Sequence, residues 1–181
     1  MSQSNKIWDY KSDDVDKLAE QVSKTPDIAF TKPEMAEYLI SKINFNDGDT
    51  VMEPCFGKGA FYDKLPNNVV KQFCEINMGS DYLDFDGMVD ITLSNPPFVP
   101  RKLFWKFHQK AMETTNREIW WLINVLSLNV FTPNRMEEME KNNWYINHMS
   151  IVSDKRWFGR YVWVQFTKED KDMFSYTKRI F

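Results

Sequence analysis

The sequence predicts an α/β chain: a mainly parallel, seven-stranded sheet with helices on both faces, finished by an antiparallel hairpin. Three observations lead there. Short apolar runs alternate with segments of helical period between residues 33 and 141, the pattern of strand–helix–strand units whose strands run parallel. The early runs pass through turns into helical segments instead of folding back through a two-residue hairpin turn. The last two runs, 144–152 and 161–166, have no helical segment between them, so they pair with each other.

Taken in order, Ser12-Asp13-Asp14 has the form of a helix start with acidic residues in its first turn. Val15, Leu18, Ala19 and Val22 follow at helical spacing, and Thr25-Pro26 ends the run. Residues 33–43 predict a second helix, with Thr31 as N-cap and Met35, Leu39, Ile40 and Ile43 inward. Asn46-Asp47-Gly48-Asp49 is a turn, and Thr50-Val51-Met52 a short buried strand. A helix is expected to begin over 60–65. Strands are expected at 69–76, 81–83, 89–93 and 118–125, and helices at 101–114 and 133–141. No repeat or linker divides the chain. Residues 1–27 are expected to form an N-terminal helical extension, and residues 28–181 a single domain.

Composition excludes several classes. The two cysteines, Cys55 and Cys74, have neither metal-ligand spacing nor a disulfide framework. His108 and His148 have no ligand set around them, so no metal is expected. The longest apolar stretch, 119–131, is broken by Asn124, Ser127 and Asn129 and is too short to span a bilayer. The opening residues are polar and acidic, so no secretory signal is expected there and an intracellular, reducing setting is. Net charge is −3, divided unevenly: residues 1–100 carry −8 and residues 101–181 carry +5. A basic second half can offer a phosphate-contacting face even on an acidic chain.

The chemistry begins where the first strand meets Glu53-Pro54-Cys55-Phe56-Gly57-Lys58-Gly59. A strand ending in an acidic residue and a Gly-rich turn, before a helix start, is a nucleotide-cofactor pattern: glycines permit tight turns and close ligand approach. The turn lacks the third glycine of a dinucleotide fingerprint and the Gly-Lys-Ser/Thr of a phosphate loop. Glu75 ends the next strand, where a carboxylate can accept hydrogen bonds from both hydroxyls of a ribose.

Asn95-Pro96-Pro97-Phe98 follows the apolar Ile91-Thr92-Leu93, at the strand end where open α/β sheets hold their sites. Two prolines stiffen the turn and remove two amide donors, leaving it rich in acceptors. The Asn95 side-chain oxygen and the Pro96 carbonyl can together accept both hydrogens of one –NH2 group. That leaves the nitrogen lone pair free to meet a methyl donor. An amine conjugated to a ring is a poor nucleophile, so positioning and polarisation must carry such a reaction. Phe98 can stack on the planar group that bears the amine, as flipped bases are held.

With these motifs in this order, the chain resembles the N6-adenine-specific DNA methyltransferases, over residues 30–98. Phe30-Thr31-Lys32-Pro33 is similar to the family's Thr-Pro segment, which contacts the methionine end of the cofactor. Residues 53–61, with Glu53, Pro54, Gly57, Gly59 and Phe61, resemble its Asp/Glu-Pro-x-x-Gly-x-Gly-x-Phe signature. Glu75 falls at the ribose-binding acid. Asp81-Tyr82-Leu83 is similar to the Asp-Phe-Leu whose Asp bonds the cofactor adenine. Asn95 to Phe98 matches the catalytic (Asn/Asp)-Pro-Pro-(Tyr/Phe/Trp).

The resemblance implies a Rossmann-like class I methyltransferase fold, S-adenosyl-L-methionine as cofactor and adenine N6 in DNA as target. Asn95 would then also touch the cofactor. Arg101 and Lys102, directly after the turn, and Trp157, Phe158 and Arg160, before the last strand, are the expected substrate contacts. Two features depart from the family. Phe98 stands where Tyr is common, and the 80 or so residues after it leave no room for a separate target-recognition domain. Specificity would then come from loops, a partner chain or homodimer, or the nucleic acid itself. The same turn serves enzymes that methylate RNA adenine N6 or guanine N2, or glutamine amides. A catalytically silent scaffold subunit is the non-enzymatic alternative, although both the Gly-rich turn and Asn95 are intact.

Overall fold

The computed structural model describes residues 31–98, 100–153 and 160–170; the expected 1–27 extension lies outside them. Six strands form one sheet in the order β2-β1-β3-β4-β6-β5: β1 (Thr50–Glu53), β2 (Val70–Phe73), β3 (Val89–Ser94), β4 (Thr115–Asn124), β5 (Tyr145–Val152) and β6 (Tyr161–Thr167). The first four are mutually parallel. β6 runs antiparallel to both β4 and β5, so the expected hairpin is present. β2 and β3 flank β1 on opposite sides. The chain therefore reverses its direction of winding at β1, and open sheets keep their ligand crevice beside the strand ends at such a switch point.

Both faces are covered, as the near-continuous apolar strands require. Along β4, Ile119, Trp121 and Ile123 face one core while Trp120 and Leu122 face the other, the period-two alternation of a strand. Helices α2 (Arg101–Thr114) and α3 (Pro133–Lys141) cover the first face with Phe104, Phe107, Ala111, Met136 and Met139. Helix α1 (Pro33–Ile40) covers the second with Ala36, Leu39 and Ile40. There Phe61 stacks on Trp163 with centroids 5.5 Å apart, and Trp163 on Trp120 at 5.4 Å.

Three expectations need correction. The strand expected at 81–83 is a 3-10 turn over Tyr82–Asp84. Asp81 Oδ1 accepts the Leu83 amide at 2.9 Å, diverting a donor that a strand ladder would need. The sheet consequently has six strands and β2 is its edge. The helix expected to start over 60–65 is a 3-10 turn, Tyr62–Lys64. Leu65 is already extended (ψ 143°) because the following Pro66 disfavours helical geometry before it. In place of a helix, the rings of Phe56, Tyr62 and Phe73 pack together, Phe56 and Phe73 with centroids 4.4 Å apart. Finally, Lys32 and not Thr31 stands at the N-cap of α1; the Thr31 hydroxyl faces elsewhere.

At the N-terminal end of the parallel strands, Arg117 makes two hydrogen bonds to Asp49, of 2.9 and 2.5 Å, and one to the Asn44 carbonyl at 3.2 Å. Asp90 accepts from both the amide and the hydroxyl of Thr50 at 2.8 Å. These bonds tie β1, β3 and β4 together at the end away from the switch-point crevice.

Candidate active site

The C-terminal ends of β1, β2 and β3 bring together most of the residues singled out by sequence. Glu53 ends β1 and is 2% exposed; its Oε2 accepts the Tyr62 amide at 2.9 Å. Burial, helped by the negative charges of Asp63 and Glu75 and opposed by that hydrogen bond, pushes its pKa up to about 8. Pro54 leads into the Gly-rich turn. Gly57 and Gly59 both have positive φ, 55° and 74°. A Cβ on Gly59 would lie 2.8 Å from the Phe56 ring, so this position requires glycine both for backbone and for space. Phe61, buried beneath the turn, belongs to the core on the Trp163 side.

Glu75 sits beside the same turn. Its Oε2 accepts the Gly57 amide at 2.8 Å. Its Oε1 accepts the Asn77 amide at 3.2 Å and the Asn77 side chain at 2.8 Å. The carboxylate is thus fixed against the Gly-rich turn before any ligand arrives. Asp81, on the next turn, is half-buried and commits Oδ1 to Leu83.

Asn95-Pro96-Pro97-Phe98 leaves β3 on the other side of β1. The Asn95 Nδ2 donates to Thr31 Oγ1 at 3.4 Å, which brings the Thr31-Lys32-Pro33 segment to the turn. Thr31 is 8% exposed, and Pro33 is exposed at the start of α1. Asn95 Oδ1 is buried without a hydrogen-bond partner. Buried acceptors are normally satisfied, and leaving one open is costly. The half-buried Phe98 packs against both cores and meets Tyr161 edge-on, with centroids 6.1 Å apart. Tyr161, 2% exposed, is a residue the sequence reading missed. Only the pairing of β6 beside β4 brings it to the turn.

Arg101 and Lys102 are exposed on the first turn of α2, and Arg160 is exposed just before β6. Phe30, Trp157 and Phe158 lie outside the described residues. Among the described residues no group of His, Cys, Asp and Glu could hold a metal ion, and no helix is long and apolar enough to cross a membrane. Of the two histidines, His148 is exposed. His108 is wholly buried, accepts the Trp121 indole N–H at Nδ1 (3.0 Å) and is held neutral by burial, its pKa lowered to about 3.

No protein-family model and no curated protein sequence matches the chain. Solved structures do. TrmN from Thermus thermophilus aligns at TM-score 0.60 and 15% identity over 84% of this chain; the chain spans about half that protein's length (52%). An rRNA methylase from Streptococcus thermophilus aligns at TM-score 0.53 and 9% identity, over 79% of this chain and all of that one (100%). Magnesium protoporphyrin IX methyltransferase (ChlM) from Synechocystis, with bound S-adenosylhomocysteine, aligns at 0.54 and 11% identity, over 90% of this chain and 98% of that one. The fold is that of the class I S-adenosylmethionine-dependent methyltransferases.

Proposed function

We propose that the chain is an S-adenosylmethionine-dependent methyltransferase that acts on the exocyclic N6 amine of adenine in DNA. The observation that supports this reading most is the open acceptor on Asn95. Its side-chain nitrogen is engaged by Thr31, while Oδ1 is buried and unpaired. An –NH2 group is the natural occupant: one hydrogen to Asn95 Oδ1, the other to the Pro96 carbonyl.

The residues at the switch point fit the cofactor. The positive φ of Gly57 and Gly59 folds the backbone into a tight turn beside which the cofactor would lie. The fixed Glu75 carboxylate would take the ribose hydroxyls, and Asp81 Oδ2 the adenine amine. Thr31, Phe30, Pro33 and Glu53 would surround the cationic amino-acid end. When bound, the cofactor supplies an electrophilic methyl carbon on sulfonium sulfur. The chain's own part is to hold the amine with its lone pair directed at that carbon, to polarise its N–H bonds through Asn95 and Pro96, and to exclude water. Phe98, backed edge-on by the buried Tyr161, would bound the base on one apolar face. Arg101, Lys102 and Arg160 would meet phosphates, together with Trp157 and Phe158.

RNA is the second reading, favoured by the fold shared with TrmN and with an rRNA methylase. Labelled-methyl transfer to DNA and to RNA, followed by nucleoside analysis, tests both. N6-methyladenine in DNA supports the first; label confined to RNA selects the second. A chain that binds S-adenosylmethionine yet labels neither these nor a protein lysate leaves the scaffold role.

A further inference from the structure

Strand β4 ends at Asn124 and turns at once into a 3-10 segment, Val125–Val130. The segment is anchored from below: Ser127 and Val130 are buried, and Leu128 packs against the core. Leu126 is held the other way. Its amide donates to Asn124 Oδ1 at 2.9 Å, its carbonyl accepts from Asn129 Nδ2 at 3.0 Å, and it stands 66% exposed. Val125 beside it is 38% exposed. An isolated exposed leucine is ordinary; this one has its backbone clamped by two asparagine side chains on an anchored turn, which holds it at a fixed place on the surface.

The turn lies at the edge of the candidate active site. Asn124 pairs across the sheet with Tyr161, the residue against which Phe98 lies. The Val125 amide donates to the Arg160 carbonyl at 2.8 Å. On the other flank, α2 packs Phe104 and Trp105 against Phe131, directly after the turn, which brings the start of α2 to the same edge. Arg101, Lys102 and Arg160 are exposed there, and none forms an ion pair among the described residues. An apolar knuckle flanked by exposed cations complements a polyanion that carries apolar rings inside it, which is what a nucleic acid is.

We propose that Leu126 is a wedge that enters the base stack of the nucleic-acid substrate and fills the place left when the reacting base swings toward Asn95 and Phe98. This rests on the DNA reading above. Unstacking a paired base is costly, and an apolar side chain inserted at the vacated step offsets part of that cost. The wedge therefore matters for a paired target and not for one already free of its stack.

The test uses duplex oligonucleotides around an adenine that the wild-type chain labels in genomic DNA, and the same strand unpaired. For Leu126→Ala, kcat/KM on the duplex should fall about tenfold, against less than about twofold on the single strand, and Leu126→Met should recover most of the loss. Fluorescence of 2-aminopurine at the target position should rise on binding wild type and rise less with Leu126→Ala. Equal losses on both substrates, or none, overturn the wedge while leaving the methyltransferase reading intact. Wild type that labels no DNA at all overturns the wedge and the DNA reading together. S-adenosylhomocysteine affinity of Leu126→Ala, measured alongside, should stay at the wild-type value.

Discussion

The Asn95 side-chain amide donates to the Thr31 hydroxyl at 3.4 Å across 64 residues of sequence. In this arrangement Nδ2 is turned to Thr31 and Oδ1 is left buried without a hydrogen-bond partner, the acceptor that the proposed reaction would use for the incoming amine. Thr31 was legible as a helix N-cap, yet its hydroxyl is spent on orienting Asn95 and Lys32 takes the cap position.

Removing either partner should therefore separate orientation from chemistry. Asn95→Ala deletes the acceptor and should lower methyl transfer about 10²–10³-fold, the scale of losing one preorganised polar contact to a reacting group. Thr31→Val keeps the volume and removes only the hydroxyl. It should lower kcat about tenfold, roughly 1.4 kcal/mol in the barrier, with the thermal midpoint nearly unchanged, and Thr31→Ser should restore it. A Thr31→Val enzyme with wild-type kcat would mean that the amide is oriented by something else.

Gly59→Ala should be more damaging than its size suggests. The position has φ +74°, and the added Cβ would meet the Phe56 ring at 2.8 Å. Positive φ alone disfavours alanine by about 1 kcal/mol, and the ring must also leave Tyr62 and Phe73. S-adenosylmethionine affinity, read by calorimetry, should drop at least about tenfold. Gly48→Ala is the control: its φ is also positive, but its Cβ meets nothing, so it should lower stability and leave cofactor affinity alone. Equal effects of the two on affinity would refute the role given to the Gly57–Gly59 turn.

The sequence was most readable where a local signal sufficed. Helices α2 and α3 occupy the expected residues 101–114 and 133–141, because Pro100 and Pro133 mark their starts and the apolar spacing fills one face. It misled where a side chain overrode the pattern. Asp81 looked like part of a strand, and its carboxylate bonds the Leu83 amide instead. The candidate site residues Glu53, Glu75 and Asn95 were legible near strand ends. Glu75 stands two residues beyond the end of β2 at Phe73, not within the strand expected over 69–76. The convergence of the three depends on β2 and β3 flanking β1, which no single segment encodes. Tyr161 and His108 were opaque for the same reason. One becomes a neighbour of Phe98 only after β6 inserts beside β4, and the other is buried by Phe131 and Phe166, both far from it in sequence.

Stability and function should be separable at the far end of the sheet. Arg117 is the cation beside Asp49: burial of Asp49 works against its charge, and the hydrogen bonds and charge of Arg117, with hydrogen bonds from Asn46, override that and lower its pKa. Arg117→Met leaves a 6%-exposed carboxylate without its cation and should cost about 1–3 kcal/mol. Urea denaturation should show the loss at pH 7. S-adenosylmethionine affinity at 20 °C below the new midpoint should match wild type, since the pair lies away from the crevice. A stability unchanged by the substitution would show that Asp49 finds its compensation elsewhere.

The pH profile of stability should be set by two buried groups that oppose each other. The His108 pKa is about 3 in the folded chain against an ordinary 6.5. Between those values the unfolded chain binds more protons, so His108 makes stability fall as pH drops from 6.5 toward 3. The Glu53 pKa is about 8 against an ordinary 4.5. Here the folded chain binds more protons, so Glu53 makes stability fall as pH rises from 4.5 through 8. Each fully linked proton contributes a slope of about 1.4 kcal/mol per pH unit. In wild type the slopes cancel near pH 5.5, and within the window from 4.5 to 8 stability declines as pH rises past 6.5 toward 8. Glu53→Gln keeps an acceptor for the Tyr62 amide and removes the ionisation, so its stability should climb from pH 4.5 to 6.5 and then stay level. His108→Gln keeps an acceptor for the Trp121 indole and should fall steadily from pH 4.5 to 8. Asp49 and Asp90, whose pKa values are lowered, titrate below this window and do not blur it. Urea midpoints at half-unit pH steps for the three proteins decide the matter: parallel profiles would refute both assignments, and one variant parallel to wild type would refute the group it replaces.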